Sequence, residues 1–256
     1  MRFIRMALIG ILIFPSIITY ASNGILRFAT EASYPPFESI NHQHQFTGFD
    51  IELVQALCRQ MQTHCVFTNH SFDSLLASIE FGRYDAAISA IDITPERAKR
   101  VAFSAPYLTN GAVFLIHKDS FQHQYQLRKK VIAVQNGSSE QQYLLDHYVA
   151  YGAVVVPYAS YQMALEDLLG GKVDSVFVDS AVALDWIKKH PAYEVLGKTV
   201  IDNDYFGAGF GIAVNQQDTE LQARLNKALK AIKASGEYQK IFNQYFVEAS
   251  VNATSK

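Results

Sequence analysis

Short apolar runs alternate with segments of helical spacing along this chain, and the whole alternation runs through twice. A run of four to six apolar residues suits a strand covered on both faces, and apolar residues three or four apart suit a helix with one buried stripe. Alternating the two predicts an α/β fold. Ile25 to Thr30 reads as the first strand, and Tyr34-Pro35-Pro36-Phe37, which can continue neither a ladder nor a helix, reads as a loop. Asp50 is placed to cap a helix whose stripe is Ile51, Val54, Leu57, Cys58 and Met61. A strand over Cys65 to Thr68 follows, then a helix over Phe72 to Phe81 stopped by Gly82, and a strand over Asp85 to Ser89. Thr94-Pro95-Glu96 reads as a helix start, with Thr as N-cap, Pro at the first position, an acid in the first turn and Arg97 beside it.

After an apolar run at Val113 to Ile116 the pattern renews itself. It offers a strand at Val131 to Val134, a helix opened by Gly137 with Ser138 and Gln141 spaced as a capping box, and a strand at Val154 to Val156. A helix at Tyr161 to Leu169, a strand at Ser175 to Val178 and a helix at Ala181 to Lys189 complete it. The stretch Gly207-Ala208-Gly209-Phe210-Gly211 reads as a flexible connection. A strand at Ile212 to Val214 and helices at Glu220 to Ala234 and Tyr238 to Phe246 end the ordered pattern, leaving a polar, frayed tail after Val247. Two α/β units with a late return predict two lobes, residues 22–110 with 208–256 and residues 111–207. Extended crossings near Asn110 and Phe206 would form the hinge.

Ahead of this pattern Arg2 and Arg5 precede an uncharged run from Met6 to Ile18, and Thr19-Tyr20-Ala21 supplies small residues for a peptidase. Thirteen residues fall short of the roughly 20 that cross a bilayer as a helix, so residues 1–21 read as a signal peptide cleaved near Ala21. In an exported chain Cys58 and Cys65 read as a disulfide, with two buried free thiols as the alternative. His64 beside Cys65 does not make a zinc site, which needs about four convergent ligands, and His42 and His44 read as solvated loop residues. With 22 basic against 24 acidic residues there is no positive excess for a nucleic-acid backbone. The chain has no GxSxG, HExxH, Walker or CxxC motif, and its glycine-rich stretch does not open a helix after a strand, so no metal or cofactor is expected.

The informative positions lie where predicted strands end. Ser89 closes one strand and Ala90 to Asp92 lead into the helix start that carries Arg97, so free backbone N–H groups, a positive dipole end and a guanidinium converge on a place fit for a carboxylate. An Arg on a solvated helix face is the plainer alternative. A second such turn stands at Gly137-Ser138-Ser139, and acids close other strands at Glu31 and Asp179.

The segments GFDIELVQALCRQM, NHSFDSLLASIEFGRYDAAIS, DITPER and YFGAGFGIAV, with the two cysteines around His64, resemble the periplasmic polar amino-acid binding proteins of bacterial ABC transporters, solute-binding protein family 3. EASYPPFESI, TNHSFDSL and AISAIDITPER look most like the arginine-binding members, and the resemblance covers about residues 24–246. It implies a two-lobed type II periplasmic binding protein fold with the ligand cleft between the lobes. By resemblance, Arg97 would clamp a ligand α-carboxylate, helped by the turn from Ser89 through Ala90 to Asp92 and by Ser139 across the cleft, and Asp179 would take the α-ammonium. Tyr34 and Phe72 would sandwich a planar cationic side chain and Glu31 would receive its charged end. Ala90 and Asp92 replace serines of the histidine- and lysine-arginine-ornithine-binding relatives, and Gln135 replaces an apolar residue common there.

One Arg and three acids suit a zwitterion with an extra positive charge. The implied protein is a periplasmic monomer, not an enzyme, that captures L-arginine or a related cationic amino acid and delivers it to an inner-membrane ABC permease, closure being its output. A periplasmic cyclohexadienyl or arogenate dehydratase on the same scaffold is an alternative. It would need a general acid and additional cations for its dianionic substrate, which the acids oppose. An exported signalling or host-contact protein that keeps amino-acid binding is another.

Overall fold

A computed structural model describes residues 24–246. The proposed leader and the tail after Val247 lie outside the described residues. In chain order the first unit comprises β1 (Ile25–Thr30), β2 (Ser33–Tyr34), β3 (Glu38–Ile40), β4 (Phe46–Thr47), α1 (Phe49–Gln60), β5 (His64–Asn69), α2 (Phe72–Glu80), β6 (Ala86–Ala87), α3 (Pro95–Ala98) and β7 (Ala102–Phe103). The second comprises β8 (Ala112–His117), β9 (Val131–Gln135), α4 (Ser139–His147), β10 (Val154–Tyr158), α5 (Tyr161–Leu169), β11 (Ser175–Asp179), α6 (Ser180–Lys189), β12 (Tyr193–Val200) and α7 (Asn203–Phe206). Then β13 (Ala213–Val214), α8 (Thr219–Ala234) and α9 (Glu237–Phe246) return to the first.

Two five-stranded sheets result, ordered β5-β1-β6-β13-β7 and β10-β9-β11-β8-β12. Strand β1 runs parallel to β5 and β6, while the returning β13 pairs antiparallel with β6 and β7 and so completes the first sheet from the far end of the chain. In the second sheet β9 is parallel to β10 and β11, and β8 is antiparallel to β11 and β12. Both sheets are mixed, each with helices over it, as the two-lobed type II binding-protein architecture requires. The α1 face carrying Leu53, Val54 and Leu57 and the α8 face carrying Leu225, Leu229 and Ile232 are fully or almost fully buried. Removing such side chains from water contributes about 1.5–3 kcal/mol each, which is why helical spacing alone located both helices.

Four local expectations are corrected. Asp50 does not cap α1, because Gly48 is the N-cap; Asp50 lies within the first turn, fully buried, and its carboxylate accepts from the Ala90 N–H (2.9 Å) and the Tyr107 hydroxyl (2.8 Å). Tyr34-Pro35-Pro36-Phe37 is not a plain loop. Ser33 and Tyr34 pair with Ser39 and Glu38 around the prolines, which turn the chain back and leave the pairing N–H groups to their neighbours. The Ser138 hydroxyl accepts from Gln141 N–H (3.1 Å), but the Gln141 amide oxygen reaches Gly137 N–H (2.7 Å), one residue short of a capping box. The glycine-rich stretch is a tightly packed crossing rather than a flexible one. Gly207 (φ 57°) and Gly209 (φ 105°) leave room for the Ile93 and Leu108 carbonyls, to which an added Cβ would come within 1.7 and 2.2 Å. Phe210 then exchanges backbone hydrogen bonds with the outgoing crossing, donating to Leu108 C=O and accepting from Tyr107 N–H.

Elsewhere Thr94 caps α3 as expected, accepting from Arg97 N–H at 3.2 Å. Cys58 and Cys65 form a disulfide that ties the end of α1 to β5. Strand β12 and helix α7 had no sequence prediction.

Candidate functional site

Four strands, β1, β6, β9 and β11, bring the predicted residues to one place, since Glu31, Ser89, Gln135 and Asp179 all stand at or just beyond their carboxyl ends. Such ends are where ligands bind in open α/β sheets. The two sheets face each other there. Tyr34 O–H donates to Asp179 Oδ2 (2.5 Å), Gln135 Nε2 to Glu31 Oε2 (3.4 Å), Arg97 Nη2 to Gly137 C=O (3.2 Å) and Asn136 Nδ2 to Asp73 Oδ2 (3.0 Å), each bond crossing from one unit to the other.

On the first unit, Glu31 is buried, accepts from the Ser33 hydroxyl, and has its carboxyl raised by burial, which Ser33 and Gln135 oppose. Its N–H donates to Ser89 Oγ (3.1 Å), and Ser89 donates in turn to Glu38 Oε1 (2.8 Å). Ala90 holds a left-handed φ of 44° with its N–H on Asp50. Asp92 is 3% exposed; Asn110 donates to its Oδ1 (2.8 Å) and Arg97 Nη1 lies 3.9 Å from its Oδ2. Burial and the nearby Glu140 push the Asp92 carboxyl up to about 8, against the pull of Arg97. Arg97 also donates to the Asp92 carbonyl (3.1 Å), and its guanidinium carbon sits 5.7 Å from the centre of the Phe72 ring. Tyr34 is buried and stacks on Tyr161 with ring centres 5.0 Å apart, so the two expected aromatic walls pack on different neighbours, Phe72 on Arg97 and Tyr34 on Tyr161.

On the second unit, Ser139 opens α4 and Asp179 ends β11, and both are buried. Ser139 Oγ and Asp179 Oδ1 have no hydrogen-bond partner within the protein. The Asp179 carboxyl is driven well upward by burial first, then by the charges of Glu140 and Asp92.

Four further residues belong to this neighbourhood and were missed. Glu140, on the first turn of α4, is 3% exposed, with its carboxyl raised by burial. Its sequence signal, an acid just inside a helix start, is the same as that of an ordinary dipole-complementing residue. Tyr161 at the start of α5 looks like any core aromatic, yet its buried hydroxyl has no protein partner. Glu38 and Asp50 are both fully buried and adjacent: burial and the charge of Asp50 drive Glu38 well upward, and burial lifts Asp50 to about 6. Through Ser89 and Ala90 N–H this pair holds the turn that precedes Asp92. An alternation pattern marks Glu38 and Asp50 only as polar residues among apolar ones.

A groove of about 410 Å³ lies beside Tyr34, between Pro35, Ile40, Tyr161, Leu165 and Trp186, with Glu166, Asp185 and Lys189 also lining it. Among the described residues no three His, Cys, Asp or Glu side chains are grouped so as to hold a metal ion. No described helix is long and apolar enough to cross a membrane. The site thus offers one guanidinium and helix-start N–H groups to an anion, and several carboxylates to cations.

Known proteins resemble this chain along nearly its whole described length. The pattern of the bacterial extracellular solute-binding proteins, family 3, matches residues 26–248. ABC transporter arginine-binding protein 1 of Escherichia coli is 48% identical over 221 residues, 86% of this chain and 90% of the relative. An arginine-binding periplasmic protein of Mannheimia haemolytica is 38% identical over 234 residues, 91% of this chain and 95% of the relative. Among solved structures, a Salmonella typhimurium periplasmic binding protein described for its high arginine specificity superposes with a TM-score of 0.84 at 37% identity, covering 87% of this chain and 99% of that one.

Proposed function

Because this chain belongs to the bacterial extracellular solute-binding proteins, family 3, we propose that it captures L-arginine or a related cationic amino acid in the periplasm and hands it to an inner-membrane ABC permease. One observation carries the reading: a single guanidinium, Arg97, stands among the buried acids Glu31, Asp92 and Asp179 where the strand ends of the two units meet. Two of the five guanidinium N–H donors serve the Asp92 and Gly137 carbonyls, which leaves donors for an α-carboxylate together with the N–H groups that open α4 at Ser139. Asp179 Oδ1 is free of protein partners and suits the α-ammonium. Glu31 receives the distal charge, and Tyr34 and Phe72 flank the side chain, with Ser89, Ala90 and Gln135 lining it.

In this reading the lobes are residues 22–110 with 208–256 and residues 111–207, and the bonds Tyr34–Asp179, Gln135–Glu31 and Asn136–Asp73 are made as they close. The protein is exported by a leader cleaved near Ala21 and acts as a monomer, through closure rather than catalysis. The acids disfavour the dianion that a dehydratase would bind.

Calorimetric titration tests this, using protein unfolded and refolded to strip resident ligand, with arginine, lysine, ornithine, histidine and glutamine at matched pH. Arginine binding tightest with glutamine silent is the expected result. Silence from all five overturns the reading.

A further inference from the structure

Glu140, on the first turn of α4, and Asp179, at the end of β11, are almost fully buried, 3% and 4% exposed, and each carboxyl lies within the electrostatic reach of the other. Neither Glu140 Oε1 nor Asp179 Oδ1 has a hydrogen-bond partner within the protein, and the same holds for Ser139 Oγ and the Tyr161 hydroxyl. Asp179 Oδ2 is taken by the Tyr34 hydroxyl, which leaves Oδ1 as the open oxygen of that carboxyl. We infer that Glu140 is a fourth ligand-facing acid, and that it shares with Asp179 one proton that an arriving α-ammonium displaces into solvent. The inference rests on the function proposed above and adds to it a residue and a proton.

The physical reason is charge. Two carboxylates side by side in a low-dielectric site cannot both ionise unless a cation stands between them. The remaining charged or titratable groups around the pair are Tyr34 from β2, Tyr161 from α5, and Asp92 and Arg97 from the turn and helix α3. Arg97 is the cation whose charge reaches Glu140, and Asp92, 3.9 Å from it, competes for it. Burial raises both carboxyls, and the charge of Glu140 drives Asp179 further up, so that Asp179 is the last to ionise while it accepts from Tyr34. A proton between two carboxylates and an ammonium between two carboxylates carry the same charge, so the exchange leaves the charge of the cleft unaltered. By linkage, each proton released on binding makes affinity rise about tenfold per pH unit over the range where it is released.

The test is titration with L-arginine in phosphate and in Tris buffer at pH 7, whose different ionisation enthalpies reveal released protons, together with Kd measured from pH 6 to 8. The expected results are an apparent enthalpy that differs between the buffers by about one proton's ionisation, and affinity rising with pH. The variant Glu140→Gln, which hydrogen-bonds Asp179 without a shared proton, should bind with less release and a flatter pH profile. Heat that is equal in the two buffers for the unaltered protein, or release undiminished in Glu140→Gln, overturns the inference and leaves the arginine reading standing. No heat from any cationic amino acid overturns that reading and the inference with it. Should Glu140→Gln fail to bind, Glu140→Asp decides: release retained supports the shared proton, and release lost overturns it.

Discussion

Arg97 is the residue on which anion capture depends. Its guanidinium is anchored at the Asp92 and Gly137 carbonyls and lies beside Phe72, so it is held in place by contacts from both units. Arg97→Ala should weaken arginine binding by about 2–5 kcal/mol, the usual cost of removing one partner of a buried charge pair. Calorimetry showing unchanged affinity would remove the carboxylate clamp from the site. The Glu38–Asp50 pair gives a second expectation at this scale. Both carboxyls are raised in the fold, Asp50 to about 6 from a usual value near 4, so the folded state holds protons that the unfolded chain releases. Their favourable contribution is complete below about pH 4 and is lost as pH rises through the folded-state values. Glu38→Gln keeps an acceptor for Ser89 and a donor for Asp50 without needing the proton. Its melting temperature should therefore fall less between pH 5 and pH 8 than that of the unaltered protein, as followed by circular dichroism. Identical pH profiles would mean that the pair does not share a proton.

Among the elements, β1, β9 and β11 explain why much of the site was legible in the sequence. Each runs into a buried stretch that ends on or next to a polar side chain, Glu31, Gln135 or Asp179; parallel pairing of β9 with β11 aligns the last two, and Glu31 meets them from the other sheet through Gln135. Edge elements carry no such mark. Strand β12, Tyr193–Val200, is half-exposed and interrupted by Gly197 and Lys198, so it forms only because β8 offers it a partner. The opposite end of the first sheet is where the disulfide lies. Cys65 pairs with Leu26 at the start of β1, five residues before Glu31. Closing so short a loop stabilises by about 2–3 kcal/mol in the chain-entropy account. Reduction, or Cys58→Ser with Cys65→Ser, should lower the melting temperature accordingly while leaving arginine affinity within about threefold, because the bond is at the far end of the strands. A large loss of affinity would show that α1 and β5 transmit strain to the cleft.

At the scale of the molecule, the two crossings between units behave as one packed ribbon. Phe210 pairs with Leu108 and Asp92, so the strand that leaves the first unit and the segment that returns to it must flex together. Gly209→Ala would place a methyl about 2.2 Å from the Leu108 carbonyl at a φ of 105° and should force the ribbon apart. The expected outcome is a lower melting temperature and a changed ratio between open and closed forms by small-angle scattering with and without arginine. A variant indistinguishable from the parent on both measures would place the bending elsewhere.

The period of the apolar residues, the caps at Thr94 and Ser138 and the polar residues closing the strands are local properties, so the sequence by itself determined two α/β units and most element positions, and it marked Glu31, Ser89, Asp92, Arg97, Ser139 and Asp179 as candidates, while Tyr34, Phe72 and Gln135 were marked only by the family resemblance. Which side chains meet across the cleft depends on how the two units pack. Tyr34 reaches Asp179 across 145 positions, and Glu140 is buried rather than in solvent because α4 packs against β9 and β10. Burial then changed what these groups are. The same carboxyl that would be an ordinary helix-start charge in water becomes, at Glu140, a raised acid, because the tertiary structure withholds the solvent that would otherwise stabilise its ionised form.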